Sequence, residues 1–185
     1  MEDERLESEN LVIKVLHPSE ASLVAAFYSR NFEDFARYEP LDKRQSLSVH
    51  YQKQVLECED RYRIEGKRIR YYLFKKYEPF RVIGTISFRE IGTEGDSCIV
   101  GYKIDREYRR RGFAREALRK LIPIIRYDYR VGSVKAEVLP TNTASQNLLT
   151  GLGFHRNALL SSRVCINGTY LDEYLYVLNK CDSVK

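Results

Sequence analysis

The sequence predicts an α+β domain, in which helices cover both faces of a central, mostly antiparallel mixed sheet of about seven strands. Runs rich in β-branched and aromatic residues alternate with stretches whose apolar residues recur at helical spacing. Turn residues separate these runs, and an Asn167-Gly168 pair marks a hairpin near the end. A chain of 185 residues with 43% hydrophobic and 31% charged residues suits one globular domain, taken as residues 1–185.

The first half of the chain predicts two helices and three strands. The predicted elements are a strand near 11–15, helices over 19–28 and 44–62, and antiparallel strands over 68–77 and 81–90. A loop containing Tyr38, Glu39 and Pro40 separates the two helices, because a proline disfavours helical structure in the residue before it.

The second half of the chain alternates strands with helices and ends in the hairpin. The predicted elements are strands over 98–105 and 134–138, helices from about 113 and over 142–152, and a strand pair over 163–166 and 169–178. The helix that starts near residue 113 has one apolar face, formed by Ala114, Ala117, Leu118, Leu121, Ile122 and Ile125. Pro123 either bends this helix or marks the start of a second one.

Both ends of the chain are polar. Residues 1–9 are expected to be a flexible leader and residues 180–185 a tail. The acidic start does not resemble a signal or transit peptide, and no apolar run approaches membrane-spanning length. These features predict a cytoplasmic protein that does not act at a membrane.

Cysteine and histidine spacing gives no support for a metal site. The four cysteines include no CxxC pair, and His17, His50 and His155 are scattered along the chain. We therefore expect reduced thiols and no bound metal.

Charge is unevenly divided along the chain. Residues 1–60 contain 7 basic and 13 acidic residues, whereas residues 61–185 contain 24 and 13. The basic part suits an anionic cofactor and the acidic part a cationic amine. The basic excess also suits RNA or ribosome binding, although no helix-turn-helix, RNP or zinc-finger pattern supports sequence-specific readout.

Arg109, Arg110, Arg111, Gly112, Phe113 and Ala114 lie between a predicted strand and a predicted helix. Glycine allows a tight turn without a Cβ, and the unpaired N–H groups of a helical first turn attract anions. The arginines add charged donors. This context favours a pyrophosphate cradle over the alternatives, which are a solvated basic run and part of a nucleic-acid surface.

The spacing Arg109-x-x-Gly112-x-Ala114 resembles the R/Q-x-x-G-x-G/A signature of the GNAT N-acetyltransferases, in which this turn receives the pyrophosphate of acetyl-coenzyme A. The segment 137–154 is similar to the family's strand, N-x-x-S, helix and G-F. Segments 31–40 and 166–176 resemble the ribosomal-protein N-terminal acetyltransferase branch, the RimJ/RimL type, and 84–88 resembles its third strand. One departure is Phe32, which stands where the branch has an arginine.

The resemblance implies a GNAT-like fold, an acetyl-CoA cosubstrate and a set of cofactor-binding residues. These are Tyr102, Lys103 and Ile104 in the strand, Arg109, Arg110, Arg111, Gly112, Phe113 and Ala114 in the cradle, and Asn142. Asn142 is also a natural N-cap for its helix. Ser145 is implied as the donor that protonates the departing thiolate, and it also suits a simple position in the first helical turn.

Glu137 is the first candidate for the general base, because a partly buried strand carboxylate beside the thioester can accept the amine proton. An exposed glutamate paired with Lys135 or an arginine is the alternative interpretation. Glu107 is a second candidate, although a solvated charge suits its loop position better. RimL-type members have a glutamate at the position of Val164, which cannot transfer a proton, so the base is assigned elsewhere.

Tyr38, Tyr170 and Asp172 are candidates for the acceptor pocket, since Asp172 can hold a cation between aromatic rings. The alternative is that the tyrosines are half-buried packing residues and that Asp172 braces the final hairpin.

The combined prediction is an acetyl-CoA-dependent N-acetyltransferase, whose acceptor amine attacks directly in a ternary complex. The acceptor is an amine, either a protein or peptide N-terminus or a small molecule such as a polyamine, an amino sugar or an antibiotic. A non-catalytic acyl-CoA-binding or ribosome-associated module is the remaining alternative. Nucleic-acid contact is expected only through a ribosomal target, and the protein is a monomer or a homodimer.

Overall fold

The structure is a computed structural model that describes residues 5–93 and 95–185. Its described residues form one eight-stranded sheet, in the order β1-β2-β3-β4-β5-β6-β8-β7. The strands are β1 (Arg5–Glu7), β2 (Leu11–Lys14), β3 (Ile69–Lys75), β4 (Gly84–Arg89), β5 (Ser97–Ile104), β6 (Ser133–Val138), β7 (His155–Ile166) and β8 (Thr169–Leu178). The helices are α1 (Ala21–Phe35), α2 (Lys43–Ser46), α3 (Val49–Ile64), α4 (Phe113–Asp128) and α5 (Thr143–Gly151).

The predicted fold class is confirmed, since helices cover both faces of a mostly antiparallel sheet. Strand β3 shows how alternate residues build the two cores. Tyr71 and Leu73 pack in the cluster that includes α4, whereas Tyr72 and Phe74 pack in the cluster that includes α1 and α3. No helix among the described residues has the length and hydropathy needed to cross a membrane.

The parallel pair β5–β6 is the feature that positions the site. Its pairing ends at Ile99 and Lys135, although β5 continues to Ile104 and stays paired with β4 over that length. Beyond Ile99 the edge of β5 that faces β6 is therefore open. An open strand edge offers N–H and C=O groups to an extended ligand.

The first strand corrects the part of the expected leader that the structure describes, residues 5–9. Arg5–Glu7 pairs antiparallel with β2, and residues 1–4 lie outside the described residues. The carboxylate of Glu116, in the first turn of α4, accepts hydrogen bonds from the Ser8 hydroxyl and from the backbone N–H of Asn10, at 2.7 Å each. A polar segment is thereby bound at the sheet edge by hydrogen bonds that composition does not reveal.

The expected tail is also attached to the fold. The Lys185 N–H donates to the carbonyl of Leu152 at 3.2 Å, and Arg119 donates to the carbonyl of Lys185. Val184 packs against the larger core.

Several element boundaries differ from the predictions for local reasons. Helix α1 extends seven residues beyond the predicted end. The predicted helix over 44–62 is divided, because Ser48 caps a new helix by accepting a hydrogen bond from the Tyr51 N–H. Pro123 lies inside the continuous helix α4, and β7 is twelve residues long, where only 163–166 was expected.

Candidate functional site

A cleft of about 580 Å³ lies beside the open end of β5, and we name it the donor cleft. Its walls come from β5, from the start of α4 and from the start of α5. The predicted cofactor residues that line it are Tyr102, Lys103, Ile104, Arg109, Arg110, Gly112, Phe113, Ala114 and Asn142, together with Ser145. The fold thus brings three separated sequence segments to one cleft.

Gly112 provides the space in the cradle. It is the N-cap of α4 with φ +82°, a left-handed conformation that favours glycine. A Cβ built on it would meet no described heavy atom within 4 Å, so the room in front of the first helical turn is open. Free N–H groups at a helix start, next to this space, fit a phosphate-bearing ligand.

The three cradle arginines have different surroundings. The Arg109 Nε donates to the Ile104 carbonyl at 3.1 Å, and its guanidinium lies 3.4 Å from Asp34, so this side chain braces the loop. Arg111 lies over the Tyr108 ring at 5.4 Å and is absent from the lining of the donor cleft. Arg110 lines the cleft, which makes it the cradle arginine best placed to meet a phosphate.

Tyr102 and Ser145 form a hydroxyl pair at the inner end of the donor cleft. The two side-chain oxygens are 2.6 Å apart. Burial raises the pKa of Tyr102 to about 12, although its hydrogen bond to Ser145 opposes the shift. Asn142 caps α5 by accepting a hydrogen bond from the Ser145 N–H at 3.2 Å. The Tyr102 hydroxyl therefore keeps its proton at neutral pH. The hydrogen bond to Asn142 holds the backbone of Ser145 in place.

Lys103 links β5 to the loop after α1. Its Nζ lies 2.8 Å from Glu39 and donates to the Tyr28 hydroxyl at 3.1 Å. This ion pair holds Glu39 in the wall of the site.

The loop before the cradle is fixed by a buried carboxylate. Asp105 is fully buried and forms ion pairs with Arg30 at 3.0 Å and Arg81 at 3.2 Å. The Asn31 side chain accepts a hydrogen bond from the Arg106 N–H at 2.9 Å. Helix α1 thereby holds the strand-to-helix connection in place.

A second hollow of about 280 Å³, the acceptor cleft, opens on the other side of the β5–β6 divergence. Residues that line both hollows are Tyr38, Glu39, Tyr102, Lys103, Asn142 and Ser145. The two clefts therefore meet at the Tyr102–Ser145 pair. A donor in one and an amine in the other would approach each other there.

Three carboxylates line the acceptor cleft: that of Glu39, which pairs with Lys103, and those of Glu137 and Glu173 on the strands. Glu137 lies opposite Leu175 in the β6–β8 register, and Glu173 is two residues before Leu175, so both project from one face. Glu137 is 9% exposed, and its two oxygens pair with Arg89 at 2.6 Å and Arg163 at 2.7 Å.

Glu173 has different surroundings. It is half-buried, and no described residue donates a hydrogen bond to it. Burial and the nearby charge of Glu137 raise its pKa, while Arg163 and Arg89 act in the opposite direction. Of the two strand carboxylates in the cleft, Glu137 is thus held by guanidinium groups and Glu173 is not.

The remaining predicted residues are not all brought to the clefts. Tyr38 lines both. Tyr170 is 69% exposed on the β7–β8 hairpin, and Asp172 accepts a hydrogen bond from the Ser162 N–H at 2.8 Å, across an irregularity in β7. Neither lines the two clefts, so Asp172 braces the hairpin. Glu107 is exposed and paired with Arg81 at 2.6 Å.

Glu173 and Arg68, which also lines the acceptor cleft, were missed by the sequence predictions. Strand alternation places Glu173 on one face of β8, but which face meets the cleft depends on the register with β6. Arg68 precedes β3 with no motif around it. Among residues 5–93 and 95–185, no group of three His, Cys, Asp or Glu side chains is arranged to hold a metal ion.

The profile of the acetyltransferase (GNAT) domain family matches residues 10–155. An uncharacterized N-acetyltransferase p20 of Bacillus licheniformis is 27% identical over 177 residues, covering 96% of this chain and 97% of the relative. The ribosomal protein uS5-alanine N-acetyltransferase of Escherichia coli is 25% identical over 180 residues, covering 96% and 92%. The crystal structure of a ribosomal-protein-S5-alanine acetyltransferase from Vibrio fischeri superimposes with a TM-score of 0.89 at 24% identity, covering 99% and 100% of the two chains.

Proposed function

The chain belongs to the GNAT acetyltransferase family, and we propose that it acetylates the α-amino group at the N-terminus of a protein or peptide. It is an acetyl-CoA-dependent N-acetyltransferase, similar to the RimJ/RimL-like branch. The observation that carries the proposal is the meeting of the donor and acceptor clefts at Tyr102 and Ser145, with carboxylates on the acceptor side. A relative named for uS5-alanine supports a ribosomal protein in the cytoplasm as the kind of target.

The donor cleft would hold acetyl-CoA, which supplies an activated acetyl thioester when bound. The open N–H groups at the start of α4 and the Arg110 guanidinium would bind its pyrophosphate. The free edge of β5 beyond Ile99 would bind the extended arm through backbone hydrogen bonds. Held in this way, the acetyl carbon would lie at the junction of the clefts.

The acceptor ammonium must lose a proton before its nitrogen can attack. An α-amino group has a pKa near 8, compared with about 10.4 for lysine, so a carboxylate base suffices more readily for an N-terminus. The prediction of Glu137 as this base is untested. Its oxygens are occupied by Arg89 and Arg163, which favours Glu173 as the group that accepts the proton and Glu137 as a positioning residue.

The Tyr102–Ser145 pair would complete the proton balance. The amine nitrogen would form a bond to the acetyl carbon as the carbon–sulfur bond breaks, and the departing sulfur would take a proton from the hydroxyl pair. The second proton that the nitrogen loses on becoming an amide would restore the hydroxyl pair. The proton accepted by the carboxylate returns to solvent. No side-chain nucleophile is required.

The test is acetylation of a peptide set, followed by mass spectrometry and by titration of coenzyme A. Peptides with a free N-terminus should be acetylated, whereas the same peptides with a blocked N-terminus and an internal lysine should not. If only polyamines or amino sugars are acetylated, the acceptor is a small molecule and the proposed peptide acceptor is wrong. Tight coenzyme A binding without turnover of any amine would favour a binding module.

A further inference from the structure

Arg68 is a cation in the acceptor region without an anionic partner. Its Nε is buried and meets no hydrogen-bond acceptor among the described residues. Burial, and after it the positive charge of Arg70, lowers the pKa of Arg68, although Glu59 and Tyr72 act in the opposite direction. A partly buried cation without a partner is unfavourable for stability unless a ligand completes it.

The other cations around Arg68 are already paired. Arg70 lies 2.8 Å from Glu59, Lys103 lies 2.8 Å from Glu39, and Arg89 is held by Glu137. The other oxygen of Glu59 accepts a hydrogen bond from the Tyr72 hydroxyl at 3.2 Å, and Glu59 attracts Arg68 electrostatically without a hydrogen bond to its Nε. Among the cations that line the acceptor cleft, Arg68 is therefore the one whose charge is available to a ligand.

Arg68 lies where the acceptor cleft continues into a third hollow of about 750 Å³, the lateral groove. The groove runs between α3 and the loop that contains Pro40 and Leu41. Both hollows are lined by Glu39, Arg68, Arg70 and Lys103. A ligand whose amine occupies the acceptor cleft would extend past Arg68 into this groove.

We propose that Arg68 binds an acidic side chain of the acceptor peptide, close to the amine that is acetylated. This inference rests on the proposed N-terminal acetyltransferase function and names its substrate class. Guanidinium and carboxylate groups form paired, charge-assisted hydrogen bonds, which are among the stronger polar interactions of proteins. The preferred substrate is thus a peptide with a free N-terminus followed by an aspartate or glutamate.

The experiment compares peptides that differ only in aspartate or asparagine at the second, third or fourth position. One position should give a kcat/KM for the aspartate peptide at least about tenfold higher, as expected for a charge-assisted pair. Arg68→Gln should remove this preference, and Arg68→Lys should restore part of it. Arg44→Gln, an exposed charge outside the clefts, should leave it unchanged.

Two outcomes would overturn the proposal: equal kcat/KM for aspartate and asparagine peptides at every position, or a preference that Arg68→Gln retains. Calorimetric binding of the N-acetylated peptides requires no turnover. It therefore tests recognition by Arg68 separately from the proposed acetylation of N-termini. If aspartate peptides bind more tightly than asparagine peptides but none is acetylated, Arg68 remains an anion-binding residue and the proposal that the peptide is the acceptor is rejected. Free aspartate can also be added as a competitor of the aspartate peptide in the unaltered protein. If it binds more strongly than the peptide, Arg68 recognises the carboxylate of a small molecule, and the peptide assignment is overturned.

Discussion

Gly112 combines two properties that matter for an anion site. Its φ of +82° disfavours a side chain, and a Cβ at this position would enter open space at the wall of the donor cleft. A substitution here would therefore strain the backbone and add a side chain to the cleft wall.

We expect Gly112→Asp to lower coenzyme A affinity by at least about tenfold, because a carboxylate would repel the phosphates. Calorimetric titration measures the affinity, and thermal unfolding reports on the fold. Gly168→Asp is the matched control, since Gly168 has φ +79° and equally open surroundings in the distal hairpin. Unchanged coenzyme A affinity in Gly112→Asp would reject the cradle.

The Tyr102–Ser145 pair is expected to act on the leaving group. Tyr102→Phe and Ser145→Ala should each lower kcat by about a hundredfold, the lower end of what a positioned proton donor contributes. The KM for the peptide should change little, because neither hydroxyl is assigned to peptide binding. Tyr127→Phe, an exposed residue at 86% exposure, is the control. A kcat unaffected by both cleft variants would remove the pair from the mechanism.

Glu173 and Glu137, the two strand carboxylates of the acceptor cleft, are expected to respond differently to substitution. Because the pKa of Glu173 is raised, its basic form is populated only above that value, so kcat/KM should rise with pH through it. Glu173→Gln should remove this rise and lower kcat/KM at neutral pH by about a hundredfold. The same raised pKa means that the ionised side chain opposes folding at neutral pH, so Glu173→Gln should also stabilise the protein there.

Glu137→Gln is the comparison variant. It leaves the guanidinium groups of Arg89 and Arg163 without their charged partner and should destabilise the protein by about 1–3 kcal/mol. If Glu137→Gln instead removes the pH dependence and Glu173→Gln does not, Glu137 is the base, as predicted from the sequence.

The connection between β5 and α4 is the element on which the cradle depends. Asp105, at the end of β5, binds Arg30 of α1 and Arg81 of the loop before β4. Burial opposes ionisation of Asp105, but hydrogen bonds from Glu107, Arg30, Asn31 and Arg81 prevail and lower its pKa. A group with a lowered pKa stabilises the fold above its unfolded pKa and loses that effect as pH falls.

We expect Asp105→Asn to destabilise the protein by about 3 kcal/mol at pH 7, because two partly buried guanidinium groups lose their anion. Chemical denaturation measures the change, and the difference from the unaltered protein should shrink as the pH falls below about 4. Coenzyme A affinity should fall as well, since the loop that carries the cradle is released. Asp128→Asn tests a charge at the end of α4, and no comparable loss is expected there.

Element boundaries show where local signals sufficed. The Asn167-Gly168 hairpin and the Asn142 cap of α5 follow from the chemistry of these residues, and both are present. The break at Ser48 and the length of β7 were missed. Serine is equally compatible with a helix interior and a cap, and β7 continues because β8 pairs with it through two irregularities.

At the scale of the whole molecule, the proposed site depends on a single departure from regular pairing. Strands β5 and β6 separate after Ile99 and Lys135, and this leaves one cleft at the start of α4 and another lined by β4, β6 and β8. The ligands proposed to meet there are charged in opposite ways, because the donor is an anion and the amine is a cation. The donor cleft is lined by charges of both signs, those of Asp34 and Glu39 and those of Arg109 and Arg110.

The sequence by itself determined the fold class and, through its resemblance to the GNAT family, the cofactor, because the strand, glycine turn and amphipathic helix that carry the resemblance are close along the chain. Only the tertiary structure decided which side chains line the acceptor cleft. Glu137, Glu173 and Arg68 come from three distant segments, and the register between strands selects which face each one presents. A shift of one residue would reverse those faces, and local composition carries no record of that choice.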